Sequence, residues 1–216
     1  MTTEPQTVLD QGWIFRIRKG QPQSHTIPLL LLHGWTGDET SMWIFAQQLP
    51  AAVPILAPRA PLPAVPSGYS WAKVTQGVRS RMDDFLPAAA QMLEQFDRRL
   101  NELGLSNQQF DWMGFSQGCA LGYVLSALAP ARIRRAAALS GFMPAGVEQA
   151  LPDGALGASH FFVAHGSLDE IIPIESARQS AAVLQAKSAK VTYCESTVGH
   201  KLSSGCFQGL EEFLSV

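Results

Sequence analysis

A single serine stands at the centre of a pattern that can turn a side-chain hydroxyl into a nucleophile. Ser116 lies between Gly114 and Gly118, so the sequence there has the form G-x-S-x-G. An apolar run at residues 110–113 precedes it, and small and apolar residues follow to about residue 129. The pattern predicts a strand, a sharp turn and a helix, with the serine at the apex. The first N–H groups of that helix would favour negative charge beside the serine.

An activated serine needs a base and a group that orients the base, and the sequence offers both. Asp169 and His200 each follow a predicted strand, at residues 160–164 and 191–195. An imidazole can accept the serine proton and later return it to a leaving group. A carboxylate on the other ring nitrogen fixes the tautomer and stabilises the imidazolium. Because parallel strands end at one edge of a sheet, we expect Ser116, Asp169 and His200 to meet there.

Other residues compete for these two roles. His33 and His165 each end a predicted strand and precede a glycine. Either is a candidate base, although a structural role in the turn is the favoured interpretation. Glu170 is adjacent to Asp169, and either type of carboxylate can serve as the acid. The residues alone leave the choice between Asp169 and Glu170 open.

Two backbone N–H groups are candidates for stabilising the oxyanion of an acyl-transfer reaction. Gln117 follows the serine directly, and the loop after the apolar run at residues 27–32 offers Trp35. The proline-rich loop at residues 58–71 carries Tyr69 and Trp71. These two aromatic residues and Trp35 either pack within their loops or border a substrate pocket.

The composition favours a globular domain and excludes several classes of protein. The chain has 216 residues, of which 46% are hydrophobic and 16% charged, and its net charge is −2. A small negative net charge does not indicate binding to nucleic acid or to anionic membranes. No apolar stretch reaches the roughly 18 residues of a membrane span. No metal-binding or nucleotide-binding motif occurs, so neither a metal nor a nucleotide cofactor is expected.

The cysteines and the N-terminus bear on the cellular compartment. Cys119, Cys194 and Cys206 are odd in number and widely spaced, which does not indicate a disulfide framework. Cys119 is expected to be a small buried side chain. The first ten residues lack the basic and apolar regions of a secretory signal. We therefore predict a reducing, cytoplasmic location.

The elements needed to position these groups alternate along the chain. Strand patterns and helix patterns follow one another from residue 27 onward, which predicts one α/β domain over residues 1–216. Its central sheet should be mostly parallel, with helices on both faces. Residues 84–103 have the clearest helical period. Residues 13–18 are predicted to form a strand at a sheet edge, and residues 1–10 a loose tail.

Several short motifs resemble one family, the phospholipase/carboxylesterase family of α/β-hydrolases, which includes acyl-protein thioesterases and small bacterial carboxylesterases. The resemblance runs from about residue 28 to the C-terminus. It rests on Leu-Leu-His-Gly at residues 31–34, Pro-Arg-Ala-Pro at 58–61, Gly-Tyr-Ser-Trp at 68–71, Gly-Phe-Ser-Gln-Gly at 114–118, His-Gly at 165–166 with Asp169 and Ile-Pro at 172–173, and Gly-His at 199–200.

This resemblance implies an α/β-hydrolase fold without a cap domain, and no cofactor. It also implies a triad of Ser116, Asp169 and His200 that hydrolyses carboxylic esters or thioesters through an acyl-enzyme. The substrate would be a small ester or thioester, or an acylated lipid or protein. An exposed apolar site is compatible with a homodimer. Thr36 and Lys201 depart from the family pattern, which usually has glycine at the first place and often an acidic residue at the second.

Two other functions fit parts of the sequence. A catalytically silent α/β-hydrolase domain could act as a binding protein, but such domains generally lose one of the three groups that this chain retains. A serine peptidase would use the same three groups. It would also need a tighter clamp on its substrate, and no charged recognition loop is visible.

Overall fold

The computed structural model describes residues 4–10, 12–20, 27–73 and 80–215. Within these residues, eight strands form one sheet: β1 (Gln6–Asp10), β2 (Trp13–Arg18), β3 (Leu29–Leu32), β4 (Ile55–Pro58), β7 (Phe110–Phe115), β8 (Ile133–Leu139), β9 (His160–Gly166) and β10 (Lys190–Ser196). Their order across the sheet is β1-β2-β4-β3-β7-β8-β9-β10. The pairs from β4 through β3 to β10 are parallel, whereas β1–β2 and β2–β4 are antiparallel. The predicted mostly parallel α/β sheet is confirmed.

The strands follow the buried apolar runs of the sequence. A separate two-stranded hairpin holds β5 (Leu62–Pro63) and β6 (Tyr69–Ser70). The four residues of β3 are all buried, as expected for a strand that is covered on both faces.

The helices cover both faces of the sheet. They are α1 (Trp43–Ala46), α2 (Met82–Glu102), α3 (Gln117–Leu128), α4 (Val147–Ala150), α5 (Ile174–Ala186) and α6 (Ser204–Ser215). Side chains of α2, α3, α4 and α5 share one buried cluster with the sheet, and those of α1 and α6 share the other. The segment between β8 and β9, residues 140–159, contains only the short helix α4 among its described elements, so no cap domain is formed there.

The N-terminal predictions were wrong in two respects. Residues 6–10 form β1 instead of a loose tail, and they pair with β2 from Gln6↔Ile17 to Asp10↔Trp13. Strand β2 is consequently not at the edge, because it lies between β1 and β4. The side chains of β1 are mostly exposed, so its sequence lacks the alternation that marks a half-buried strand.

One disulfide is present, although the number and spacing of the cysteines did not indicate a disulfide framework. Cys194 on β10 and Cys206 on α6 are bonded, with 5.7 Å between their Cα atoms. Cys119 is a buried free thiol, as expected. Among the described residues, no helix is long and apolar enough to cross a membrane.

Candidate active site

The nucleophile candidate lies on a strained turn between β7 and α3. Ser116 has φ 53° and ψ −117°, a conformation that L-residues rarely adopt. Its N–H donates to the carbonyl of Leu139 at 2.9 Å, which ties the turn to β8. A Cβ at Gly114 would lie 2.6 Å from the backbone of Gly118, and one at Gly118 would lie 2.1 Å from the Leu32 oxygen. Both glycines are therefore required by the close passage of helix and strand.

The loop after β3 is held in place by His33, which uses both of its ring nitrogens. His33 Nδ1 contacts the Gly34 oxygen at 2.7 Å, and the Ala60 N–H donates to His33 Nε2 at 3.0 Å. Because Nε2 accepts, the proton lies on Nδ1. Burial lowers the pKa of His33 to about 4, against weaker raising effects of Gly34 and Asp38. His33 thus shapes the loop, in agreement with the structural role favoured for it.

The backbone of Tyr69 also holds this loop. Thr36 N–H donates to the Tyr69 oxygen at 3.0 Å, and Tyr69 N–H donates to the Gly37 oxygen at 3.0 Å. Thr36 has φ 68°, the left-handed region that favours the glycine usual in the family. With Thr36 N–H and Gly37 N–H both used, the Trp35 N–H has no acceptor in the described part of the chain. It is therefore free to serve as an oxyanion donor.

The acid candidate and the base candidate are in direct contact. His200 Nδ1 lies 2.7 Å from Asp169 Oδ2, while Asp169 Oδ1 accepts the N–H groups of Ile171 and Ile172 at 2.9 Å each. Burial alone would raise the pKa of Asp169. The Ile172 N–H, His200 and the Ile171 N–H outweigh burial and lower this pKa. Glu170 is exposed, so the geometry favours Asp169 as the partner of the imidazole.

His200 is in contact with Phe115, the residue before the serine. The rings of Phe115 and His200 lie 5.0 Å apart between centroids. The hydrogen bonds of the described residues do not include one between Ser116 Oγ and His200 Nε2. Such bonds are often long without substrate and tighten in the complex. The structure thus joins Asp169 and His200 directly and brings the turn of Ser116 next to them.

The Gln117 side chain has a role that was missing from the sequence interpretation. Its Oε1 accepts the Trp71 N–H at 3.0 Å, and its Nε2 donates to Ser70 Oγ at 2.9 Å. These bonds connect the nucleophile turn to β6 and to the residue that follows it. The available signal was the glutamine of Gly-Phe-Ser-Gln-Gly, because the bare G-x-S-x-G pattern leaves this position free. The Gln117 N–H, at the first turn of α3, remains a candidate oxyanion donor.

The three aromatic residues predicted near the substrate lie in different environments. Trp35 is 47% exposed, whereas Trp71 is only 1% exposed. The Trp71 indole N–H donates to the His33 oxygen at 2.7 Å. The ring of Tyr69 lies under the Arg59 guanidinium, and its hydroxyl is 3.1 Å from Arg59 Nη1. The backbone of Tyr69 therefore holds the loop after β3, while its side chain is in contact with Arg59.

A cavity of about 340 Å³ adjoins Trp71. The side chains that line it are mostly apolar, and three polar ones stand among them. The lining residues are Pro61, Leu62, Trp71, Lys73, Asp84, Pro87, Ala88 and Gln91. Of the three aromatic candidates, only Trp71 borders this cavity. Trp35 and Tyr69, which were also predicted beside a pocket, do not line it.

Solved structures resemble this chain across nearly its full length. A carboxylesterase from Mesorhizobium loti superposes with a TM-score of 0.83 at 20% identity, covering 98% of each chain. A Bacillus cereus carboxylesterase gives 0.81 at 19% identity, covering 93% of this chain and 92% of the other. Acyl-protein thioesterase 2 of Zea mays gives 0.73 at 16% identity, covering 93% and 97%. At such identities the likeness establishes a shared fold.

The sequence itself identifies the family. No curated protein sequence matches this chain. The model of the Phospholipase/Carboxylesterase family, by contrast, matches residues 14–216, which is nearly the whole chain. The chain therefore belongs to the phospholipase/carboxylesterase family of α/β-hydrolases.

Proposed function

We propose that this protein is a serine hydrolase that cleaves carboxylic esters or thioesters through an acyl-enzyme intermediate. The observation that carries the proposal is the combination of a strained serine turn with a bonded carboxylate–imidazole pair beside it. Ser116 has its φ at 53°, and His200 Nδ1 lies 2.7 Å from Asp169 Oδ2. Because the Nδ1 proton is directed to the carboxylate, the lone pair of Nε2 is left to accept the serine proton.

Acylation follows from these positions. Ser116 Oγ forms a bond to the substrate carbonyl carbon while its proton moves to His200 Nε2. The carbonyl oxygen becomes negative and accepts hydrogen bonds from the N–H groups of Trp35 and Gln117, each of which is typically worth about 10²–10³ in turnover. The tetrahedral intermediate then collapses. The bond to the alcohol or thiol breaks, and His200 gives its proton to that leaving group.

Deacylation repeats the sequence with water as the nucleophile. His200 removes a proton from water as its oxygen attacks the acyl carbon. The bond to Ser116 then breaks, and the serine regains its proton from His200. Throughout, Asp169 remains a carboxylate that holds the imidazole in one tautomer, because its lowered pKa keeps it ionised near neutral pH.

The substrate class is a further part of the proposal. The apolar cavity of about 340 Å³ beside Trp71 would take part of an acyl chain, and the half-exposed Trp35 would cover the chain nearer the carbonyl. Burying apolar chain in such a site contributes about 0.8 kcal/mol per methylene. Esters and thioesters with an apolar acyl group, on either a small molecule or a lipid or protein carrier, are the expected substrates.

The experiment that tests the proposal is labelling with a fluorophosphonate probe, followed by intact mass and peptide mapping. A single adduct on Ser116 that is absent from a folded Ser116→Ala variant is the expected result. Turnover of an ester and of a matched thioester, set against a peptide substrate, would then define the leaving group. A folded wild-type protein that takes no label would contradict the proposal and favour a binding protein.

A further inference from the structure

A second imidazole touches the carboxylate of Asp169. His165 Nε2 lies 3.2 Å from Asp169 Oδ2, the same oxygen that His200 Nδ1 contacts at 2.7 Å. The side chains of His165 and Asp169 are both fully buried, with 0% of their surface exposed. His165 takes no part in the proton transfers proposed for the hydrolase reaction.

The tautomer of His165 follows from its neighbours. Its Nε2 also lies 2.9 Å from the Ile172 oxygen, so this nitrogen faces two acceptors and must carry a hydrogen. Its Nδ1 is buried without a hydrogen-bond partner in the described part of the chain. With its proton on Nε2, the ring donates its hydrogen bond to the Ile172 oxygen and keeps the same edge in contact with Asp169 Oδ2.

His165 lies on a strand inside the sheet, whereas Asp169 lies on the loop that follows this strand. His165 belongs to β9, which is paired with β8 on one side and with β10 on the other. Asp169 follows three residues after the end of that strand. A Cβ at Gly166 would lie 2.2 Å from the Val198 oxygen, so the end of β9 packs directly against the segment that leads to His200.

We propose that His165 is a positioning residue that fixes the orientation of the Asp169 carboxylate. This inference rests on the proposed hydrolase function. His165 holds the carbonyl of Ile172, whose N–H is one of the two that bind Oδ1, and its ring lies against Oδ2. One orientation of the carboxylate then remains for His200. Without the His165 N–H, the Ile172 peptide is no longer held and the contact with Oδ2 is lost. The carboxylate can then turn about its last side-chain bond, and the imidazole of His200 loses its fixed direction.

Two amide substitutions test whether the position of the N–H donor matters, because both of them supply such a donor. In His165→Gln the amide nitrogen reaches the place of the imidazole Nε2, whereas in His165→Asn it reaches only that of Nδ1. Misplacement of a catalytic group by 1 Å can cost about 100-fold. We therefore expect the Asn variant to lose roughly 10-fold to 100-fold in kcat with little change in KM, and the Gln variant to recover most of that loss. Folding of each variant is checked by thermal unfolding.

The control is His160→Gln, at the other end of the same strand, where His160 Nε2 contacts Thr192 Oγ1 at the surface. Its kcat should equal that of the wild type. Equal kcat values for folded His165→Asn and His165→Gln would overturn the proposal. If the Asn variant does not fold, the Gln variant decides, because a folded Gln variant that has lost more than about tenfold in kcat would also overturn it.

A readout that does not depend on activity keeps this inference distinct from the hydrolase proposal. The proton on His200 Nδ1 should give a far-downfield NMR signal in the wild type and in His165→Gln. The signal should weaken or shift in His165→Asn. If the wild type takes no fluorophosphonate label but the signal follows this order, the hydrolase proposal fails while His165 still positions Asp169. An unchanged signal in all three proteins would contradict the positioning role.

Discussion

Cys194 and Cys206 close a loop whose middle contains His200. The two cysteines are 12 positions apart, and their disulfide joins the last strand of the sheet to the last helix. Cys206 is fully buried, whereas Cys194 is partly exposed. The candidate base, His200, is therefore carried by a loop whose two ends are joined by a covalent bond.

This closure predicts a measurable contribution to stability. A disulfide that closes a loop of this length stabilises the folded state by about 3 kcal/mol, because it lowers the entropy of the unfolded chain. Replacing the pair in Cys194→Ser/Cys206→Ala should lower the free energy of unfolding by roughly that amount. Urea unfolding with and without a dithiol reductant measures it.

The double variant is also the control for the reductant. The reductant should destabilise the wild type and leave the variant unchanged, because Cys119 is a buried free thiol. Thiol titration of the unreduced, unfolded protein should find one free thiol. Three free thiols would refute the disulfide. Since disulfides persist in oxidising compartments, one free thiol would also count against the predicted reducing, cytoplasmic location.

The buried His33 predicts a loss of stability in mild acid. Burial lowers the pKa of His33 from 6.5 to about 4, so the unfolded chain binds a proton in this range and the folded chain does not. The contribution of His33 is complete above pH 6.5, falls as the pH drops toward 4, and changes no further below that. At 1.36 kcal/mol for each pH unit, the loss amounts to roughly 3 kcal/mol.

Comparison with a variant that cannot titrate isolates this effect. The free energy of unfolding of His33→Gln should fall less steeply between pH 6.5 and 4 than that of the wild type, whatever its value at neutral pH. The contributions of the other histidines cancel in the difference. Urea unfolding at a series of pH values measures both curves, and parallel curves would show that His33 is not held neutral by burial.

The order of strands and helices after residue 27 could be predicted because each element carries its own local pattern. Strand β3 is a continuous apolar run, and α2 repeats its apolar residues at steps of three and four. The serine turn was equally local, since Gly114 and Gly118 stand within two residues of Ser116. Strand β1 carries no such pattern, because its place depends on pairing with β2.

The parts of the site that escaped prediction depend on contacts between distant segments. The hydrogen bond from Thr36 to Tyr69 and that from Trp71 to Gln117 join residues 33 and 46 positions apart. The cysteine pair likewise becomes visible only when α6 packs on the sheet. The type of a residue marks it as a candidate, but its partner is fixed by the assembled fold.

The exposed Trp35 predicts how acyl length affects turnover. An aromatic side chain offers about 150–250 Å² of surface for contact with a substrate. Removing this surface in Trp35→Ala should weaken the contact with a longer acyl chain by about 1–3 kcal/mol and leave a two-carbon acyl group almost unaffected. We expect kcat/KM for an eight-carbon ester to fall by roughly 5-fold to 150-fold relative to that for acetate.

The companion substitution at the cavity must preserve the core. Because Trp71 is buried, truncation to alanine would cost about 3–5 kcal/mol, and Trp71→Phe is the better variant. It also removes the indole hydrogen bond to the His33 oxygen, so its chain-length profile is compared with its stability. Leu128→Ala, at the far end of α3 from Ser116 and 41% exposed in the wild type, is the control. If Trp35→Ala and Trp71→Phe both keep the wild-type profile, neither tryptophan borders the acyl chain, and the chain must lie along another face of the serine turn.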